Sequence, residues 1–362
     1  MRLKCRQYDF FKKSVFQLKS ETFITKGGNR SLFLCVEYKN RRILMNYLLL
    51  LVGFVLLVKG ADFFVDGSSS LAKRLKIPAI VIGLTIVAFG TSAPEAAVSI
   101  SASLQGSNGI VIGNVVGSNI FNLLMVVGTC ALIKPFKVEK KVMDSEFSMS
   151  IYASLLLLVV GLDSVLNGRA NVVDRTEGIF LTVFIILFCV SQVKNALKGR
   201  NESLEDKDEE EFKLLSLPKT FVYIIGGLCA IIFGGDLVVD SASAIAKSFG
   251  VSDHLIGLTI VAIGTSLPEL VTSVIAAIKG ESDLALGNVI GSNIFNIFFI
   301  LGLAGLISPF EITGFAVSDT VILIAVSVLF YLLARFSKGV KRWHGALYVL
   351  MYIMFTVYIM IR

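Results

Sequence analysis

GLTIVAFGTSAPEAAVS, residues 83–99, returns as GLTIVAIGTSLPELVTS, residues 257–273, and GNVVGSNIFN, residues 113–122, returns as GNVIGSNIFN, residues 287–296. The offset is the same in both cases, without a gap, and more than half of positions 83–122 are identical to their partners. Upstream, Gly60, Asp62, Asp66, Ala72 and Lys73 align with Gly234, Asp236, Asp240, Ala246 and Lys247. Agreement of this extent marks an internal duplication, beyond chance or low complexity.

Both copies sit in apolar sequence. The 362-residue chain is 55% hydrophobic and 17% charged, with a mean hydropathy of +0.78. Soluble chains run about 45–50% apolar and about 25% charged. A membrane-spanning helix needs about 20 mostly apolar residues. Ten such segments are predicted, near 46–66, 78–103, 110–133, 147–162, 177–195, 219–242, 254–278, 284–307, 319–335 and 343–361. Each copy holds five, an odd number, so the second copy lies upside down relative to the first. The expected fold is all-α: a polytopic membrane protein of ten transmembrane helices in two inverted five-helix repeats. Such repeats meet at the bilayer midplane around a binding site in secondary transporters.

The domain organisation follows. Residues 1–44 form a basic extension, 45–195 the first repeat, 196–218 a charged linker and 219–362 the second repeat. The formal charge of +7 divides unevenly. Residues 1–44 hold eleven Lys/Arg against Asp9, Glu21 and Glu37, whereas 45–362 hold 23 Lys/Arg against 24 Asp/Glu. The body of the protein is nearly neutral, which gives no basic face for nucleic acid. The extension has no spanning run and no signal-peptide pattern. An upstream false start of translation is the first reading of it, ahead of a disordered basic arm and a targeting peptide. The linker carries Glu205–Glu211, a run of mixed charge expected to be a solvated tether.

Positive charge in the loops sets orientation. The loops after helices 1, 3, 5, 7 and 9 carry eighteen Lys/Arg, among them Lys73, Lys134, Lys140, Lys194, Lys279 and Arg335. The other side carries only Arg169, Arg175, Lys247 and Arg362. The first set, with the linker between helices 5 and 6, is therefore expected in the cytoplasm. Cys130, Cys189 and Cys229 read as small apolar packing residues, and no C-x-x-C spacing supports a zinc site or a disulfide framework. His254 and His344, at helix starts, read as surface residues.

The repeats carry the chemistry. Glu95 and Glu269 fall inside apolar helices, where a carboxylate is costly and normally functional. A buried ion pair or a protonated carboxyl is the plainer alternative, but helices 2, 3, 7 and 8 contain no Lys or Arg to pair with. Pro94 and Pro268 lack an N–H, so the helices must bend or unwind beside each Glu, and such backbone is tolerated where it lines a cavity. Thr91 and Ser92 share a helical face with Glu95, as Thr265 and Ser266 do with Glu269. Hydroxyls, loosened carbonyls and a carboxylate make the all-oxygen shell that hard cations such as Na⁺ and Ca²⁺ take. Ser118 with Asn122, and Ser292 with Asn296, are one turn apart and read as further ligands or as interhelical hydrogen-bonding glue. Asn119 and Asn293 point elsewhere and read as packing braces. Gly113, Gly117, Gly287 and Gly291 form small-xxx-small pairs that bring helix backbones close. Asp62, Asp66, Asp236 and Asp240 read chiefly as a helix-end network with nearby lysines.

At G-T-S-x-P-E, residues 90–95 and 264–269, each followed by G-S-N-I-F-N, the chain resembles the cation/calcium antiporter superfamily, and within it the prokaryotic sodium/calcium exchangers. The resemblance covers 45–362. It implies that Glu95 and Glu269 bind Ca²⁺ or Na⁺ alternately and that Thr91, Ser92, Thr265 and Ser266 are hydroxyl and carbonyl ligands. It also implies backbone-carbonyl ligands at Ala88 and Ala262, and ligands at Ser118, Ser292 and Asn122. Asn296 departs from members with Asp there, which leaves two fixed carboxylates and speaks against K⁺ co-transport. The resemblance further implies a non-enzymatic antiporter of the inner membrane with no cofactor. It would work as a monomer in the lipid bilayer, with helices 1 and 6 sliding on a stationary bundle.

Charge counting supports exchange. Two carboxylates neutralise one Ca²⁺, whereas three Na⁺ leave one positive charge, so 3:1 exchange is electrogenic. The alternatives are a Ca²⁺/H⁺ exchanger of the same superfamily and, more remotely, a cation channel. An intramembrane protease lacks its H-E-x-x-H.

Overall fold

The computed structural model describes residues 28–162, 171–202, 214–251, 256–312 and 314–361. Residues 1–27, the charged linker run 205–211, Arg169, His254 and Arg362 lie outside the described residues. The chain divides into two compact units, residues 1–45 and 46–362. All that follows concerns the second.

Among the described residues, eight helices are long and apolar enough to cross a membrane, and two bent pairs bring the number to ten if each pair is one span. In chain order they are α1 (Leu44–Leu75), the pair α2 (Ala79–Thr91) and α3 (Ala93–Leu104), α4 (Gly109–Ile133), α5 (Lys140–Gly161) and α6 (Arg175–Glu202). The second set is α7 (Leu217–Ser248), the pair α8 (Thr259–Thr265) and α9 (Leu267–Lys279), α10 (Ser282–Ile307), α11 (Gly314–Ser337) and α12 (Arg342–Ile361). The apolar stretch of α1 begins at Leu44. Helices α1 and α7 run past their predicted ends, and α5 starts earlier than predicted, at Lys140. Charged residues in the terminal turns hid these lengths from a hydropathy reading.

The inverted relation shows in four short strands. β1 (Phe136–Lys137), after α4, pairs antiparallel with β4 (Gly339–Val340), after α11. β2 (Val172–Val173), after α5, pairs with β3 (Phe310–Glu311), after α10. Each pair joins one repeat to the other, and equivalent loops of the two repeats fall in different pairs. The α6 start is set by a reciprocal cap. Asp174 Oδ1 accepts from the Thr176 and Glu177 amides, and Glu177 Oε2 accepts from the Asp174 amide. The Glu177 amide above all holds the Asp174 carboxyl below its ordinary pKa.

The main apolar core lies among α4, α5, α10, α11 and α12, with Phe147, Phe330 and Tyr348 fully buried at its centre. A second cluster joins α1 to α7 through Leu57, Phe64, Ile224 and Ile231. There the two backbones meet on glycine. A Cβ on Gly227 would stand 2.7 Å from the Gly60 carbonyl, and one on Gly234 would stand 2.8 Å from the Gly53 carbonyl.

His344 is a correction to the surface reading. It is fully buried in the first turn of α12, where Nδ1 accepts from the Lys341 amide and Nε2 stands 3.4 Å from Ser337 Oγ. Folding back over its own helix start removed it from the surface. Cys130 is buried as expected, whereas Cys229 is exposed on α7 and departs from the packing role read for it.

Candidate cation site

The breaks in the two bent spans place the carboxylates. Ser92 leaves helical geometry (φ −80°, ψ 6°), as does Ser266 (φ −92°, ψ 7°), and the axes turn by 47° and 51°. Pro94 and Pro268 lie in the first turn of the next helix, where a missing N–H breaks no hydrogen bond. Glu95 and Glu269 occupy that same first turn, where a negative charge is favoured by the helix dipole.

Each of the four site-forming spans also contains a π-helical turn, at Gly83–Val87, Asn122–Val126, Gly257–Val261 and Asn296–Leu301. Two of these end just before Ala88 and Ala262, and two begin at Asn122 and Asn296. Such turns recur at functional sites. A 3.6-residue periodicity cannot reveal them.

Glu95, Glu269, Thr91, Ser92, Ser266, Ser118, Ser292, Asn122 and Asn296 are all buried. Ser92 and Ser266 do not serve the carboxylate of their own repeat, as the helical spacing suggested. They cross over. Ser92 Oγ donates to Glu269 Oε1 at 3.0 Å, and Ser266 Oγ donates to Glu95 Oε1 at 2.8 Å. The bend at each serine turns its side chain toward the opposing repeat. Ser118 Oγ stands 3.0 Å from Ser266 Oγ, and Ser292 Oγ stands 3.4 Å from Glu269 Oε1.

Four buried oxygens on these residues have no hydrogen-bond donor: Glu95 Oε2, Glu269 Oε2, Asn122 Oδ1 and Asn296 Oδ1. Among the described residues no ion pair involves Glu95 or Glu269. A buried acceptor without a donor is expensive. These four, two of them carboxylate, are oxygens of the kind that a desolvated cation satisfies.

The two repeats differ in exposure. Ala88 and Thr91 are buried, whereas Ala262 is exposed and Thr265 half-buried. The Ala88 and Ala262 carbonyls both accept from the threonine three residues on, at 3.4 Å. Thr91 Oγ1 also donates to Asn288 Oδ1 at 2.9 Å. The counterparts Thr265 and Asn114 instead line an open cavity of about 560 Å³, with Ser118, Asp319 and the C-terminal half of α12. The helix ends around this cavity belong to the face opposite the lysine-rich loops.

Gly113 and Gly117 correct the expectation of close helix contact in the first repeat. They line the cavity, and a Cβ on either would meet nothing within 4 Å. Gly287 and Gly291 do make the contact, against α2. A Cβ on Gly287 would lie 2.7 Å from the Ile80 carbonyl, and one on Gly291 would lie 2.6 Å from Ala88 Cβ.

On the lysine-rich face ion pairs link the two repeats. Lys279 Nζ lies 2.6 Å from both Asp62 Oδ1 and Asp66 Oδ1, and Lys73 lies 3.5 Å from Glu281. The helix-end aspartates thus form an ion-paired network with a lysine of another span. The residue equivalent to Lys279 in the first repeat is Gln105, so that repeat offers Asp236 and Asp240 no lysine at the matching place.

Asn114 and Asn288 were not singled out from the sequence, although both recur in the quoted repeat. Asn114 Nδ2 donates to Ser99 Oγ at 2.9 Å and to the Glu95 carbonyl at 3.1 Å, and Asn288 Nδ2 donates to Ser273 Oγ at 2.9 Å. They brace the helices that carry the carboxylates. Asp319 and the buried Glu146 had no repeat partner to reveal them.

Duplicated, inverted, broken helices meeting at a buried oxygen cluster define an integral, multi-pass secondary transporter. The sequence profile of the family described as "sodium/calcium exchanger protein" matches residues 45–194 and 219–361, and the chain belongs to that family. The sodium/calcium exchanger MaX1 of Methanosarcina acetivorans is 37% identical over 353 residues, covering 87% of this chain and 98% of the relative. The inner membrane protein YrbG of Escherichia coli is 39% identical over 290 residues, covering 79% and 87%. Among solved structures, the sodium-calcium exchanger NCX_Mj soaked with 2.5 mM Na⁺ and 0.1 mM Ca²⁺ matches with a TM-score of 0.73 at 32% identity, covering 86% of this chain and 97% of that one. The protein is a cation/calcium antiporter and not an enzyme.

Proposed function

We propose that this antiporter exchanges Ca²⁺ for Na⁺ electrogenically, using Glu95, Glu269, Thr91, Ser92, Thr265, Ser266, Asn122, Asn296, Ser118, Ser292, Ala88 and Ala262. The observation that carries this reading is the composition of the buried cluster: two carboxylates among many neutral oxygens, four of its acceptors without a donor. A carboxylate pair alone would suffice to exchange Ca²⁺ for protons. The hydroxyls, amides and carbonyls add neutral positions that suit several small monovalent cations. The name of the relative MaX1, a sodium/calcium exchanger, points the same way. The protein works as a monomer in the inner membrane, with the lysine-rich loops and the 196–218 linker in the cytoplasm. The cavity then opens outward, and alternating access closes it while opening the other face.

In proteoliposomes loaded with Na⁺, an outward Na⁺ gradient is expected to drive ⁴⁵Ca²⁺ uptake. A vesicle-interior-negative potential opposes the outflow of net positive charge at 3:1 and is expected to slow it, with a bias of about 2.3 kcal/mol per charge per 100 mV. Uptake that needs no Na⁺ and follows a pH gradient would replace this reading with Ca²⁺/H⁺ exchange. Uptake indifferent to potential would remove the electrogenic stoichiometry.

A further inference from the structure

Where α4 and α10 cross, four asparagines form a network related by the repeat, in which Asn119 and Asn293 close on each other and Asn296 and Asn122 branch from them. Asn119 Nδ2 donates to the Asn293 backbone carbonyl at 3.2 Å, and Asn293 Nδ2 donates to the Asn119 backbone carbonyl at 3.4 Å. Asn296 Nδ2 donates to Asn119 Oδ1 at 3.0 Å, and Asn122 Nδ2 donates to Asn293 Oδ1 at 3.1 Å. All four side chains are buried to 1% exposure or less.

The network has one chemical solution. A backbone carbonyl only accepts, so the end of Asn119 that faces the Asn293 carbonyl must be its NH₂ group. The other end of Asn119 is then an oxygen, which can only accept, so Asn296 must present its NH₂ to it. The remaining atom of Asn296 is Oδ1, the one with no donor. The same steps run from Asn293 through Asn122. Two backbone carbonyls thereby decide which way two amides point, although neither carbonyl is at the site.

We infer that Asn119 and Asn293 are positioning residues that hold the Asn296 and Asn122 carbonyl oxygens toward the transported cation and keep their NH₂ groups away from it. This rests on the cation-binding reading of the site. An unanchored amide can turn over and present N–H dipoles to a positive charge. Partners that orient a metal ligand typically account for about 10–100-fold in affinity.

The test is a double-mutant cycle on the full chain, purified in detergent, with Ca²⁺ affinity measured by ⁴⁵Ca²⁺ binding. Asn119→Leu removes the anchor of Asn296 at similar volume and is expected to weaken Ca²⁺ binding about 10–100-fold. Asn296→Asp offers an oxygen in either orientation, so it should rescue the Asn119→Leu chain. Its gain there should exceed its gain in the parent by about tenfold or more, because in the parent the new carboxylate would face the Asn119 oxygen. Equal gains in both backgrounds would mean that Asn119 is merely structural, and unchanged affinity in Asn119→Leu would end the idea directly. The mirror cycle, Asn293→Leu with Asn122→Asp, decides the matter if Asn119→Leu does not fold. A parent chain that binds no Ca²⁺ overturns the proposed function and this inference together, whereas a binding parent with an additive cycle overturns the inference alone.

Discussion

Glu95→Gln and Glu269→Gln are each expected to reduce Na⁺-driven ⁴⁵Ca²⁺ uptake to background while leaving a folded protein. Each substitution keeps the shape of the side chain and one oxygen, so the serine that donates across the repeats retains an acceptor. What is lost is one of two negative charges facing a divalent ion. At a Ca²⁺–oxygen distance of about 2.4 Å and an effective dielectric near 20, the gross attraction is on the order of 14 kcal/mol. Most of this offsets dehydration of the ion. A net loss of about 3–4 kcal/mol already lowers affinity by two to three orders of magnitude. The glutamine also introduces an NH₂ group into a cluster short of donors, so thermal stability without ions should hold or rise. Near-normal uptake in either variant would remove the proposed site. Loss of uptake with an unfolded chain would show instead that the carboxylate is structural.

Gly291→Leu is expected to have the largest effect on the fold. Its first added atom would stand 2.6 Å from Ala88 Cβ, 2.7 Å from the Leu84 carbonyl and 2.8 Å from Leu84 Cα. Most of these are backbone atoms, which cannot swing aside, so α2 and α10 must separate along their crossing. Inserting methylenes into a packed core costs typically about 1–3 kcal/mol, and a four-carbon side chain against backbone should exceed that. A lowered unfolding temperature and poor recovery of monodisperse protein would be the signs. Alanine at the same place should show the same direction at smaller size. A leucine variant as stable as the parent would mean that the close approach of these helices is not fixed by the glycine.

What occurs twice in this chain is legible in its sequence, and what occurs once largely is not. The gapless self-match led to both carboxylates, their serines and threonines, and the helix-3 and helix-8 polar pairs, because all of these occur twice. It also predicted the bends at Pro94 and Pro268 and the inverted five-helix halves. Hydropathy underestimated α1, α5 and α7, whose ends carry charge against other protein or the membrane surface. Helical spacing assigned Ser92 to Glu95 and Ser266 to Glu269. The structure pairs them the other way because a bend changes which side of the axis a residue faces. His344 read as a surface residue because a lone histidine at a helix start carries no sign of the partners, Lys341 and Ser337, that it meets in the fold. The asparagine network required knowing that α4 and α10 cross at Asn119 and Asn293, a long-range fact with no local signature.

One glycine motif, G-N-V-x-G-S-N, is clamped in its second copy and stands beside open space in its first, so one sequence sits in two packing environments within a single fold. Under the alternating access proposed above, the clamped copy is the template for the other frame. There Gly113 and Gly117 would press against α8, and Gly287 and Gly291 would be released. Alanine at Gly117 should then be harmless to assembly and to Ca²⁺ binding from the cavity side, yet stall turnover by wedging the door ajar. Exchange measured as turnover per bound ion, not binding, would show it, and a freely cycling Gly117→Ala protein would mean that the two frames are not mirror images.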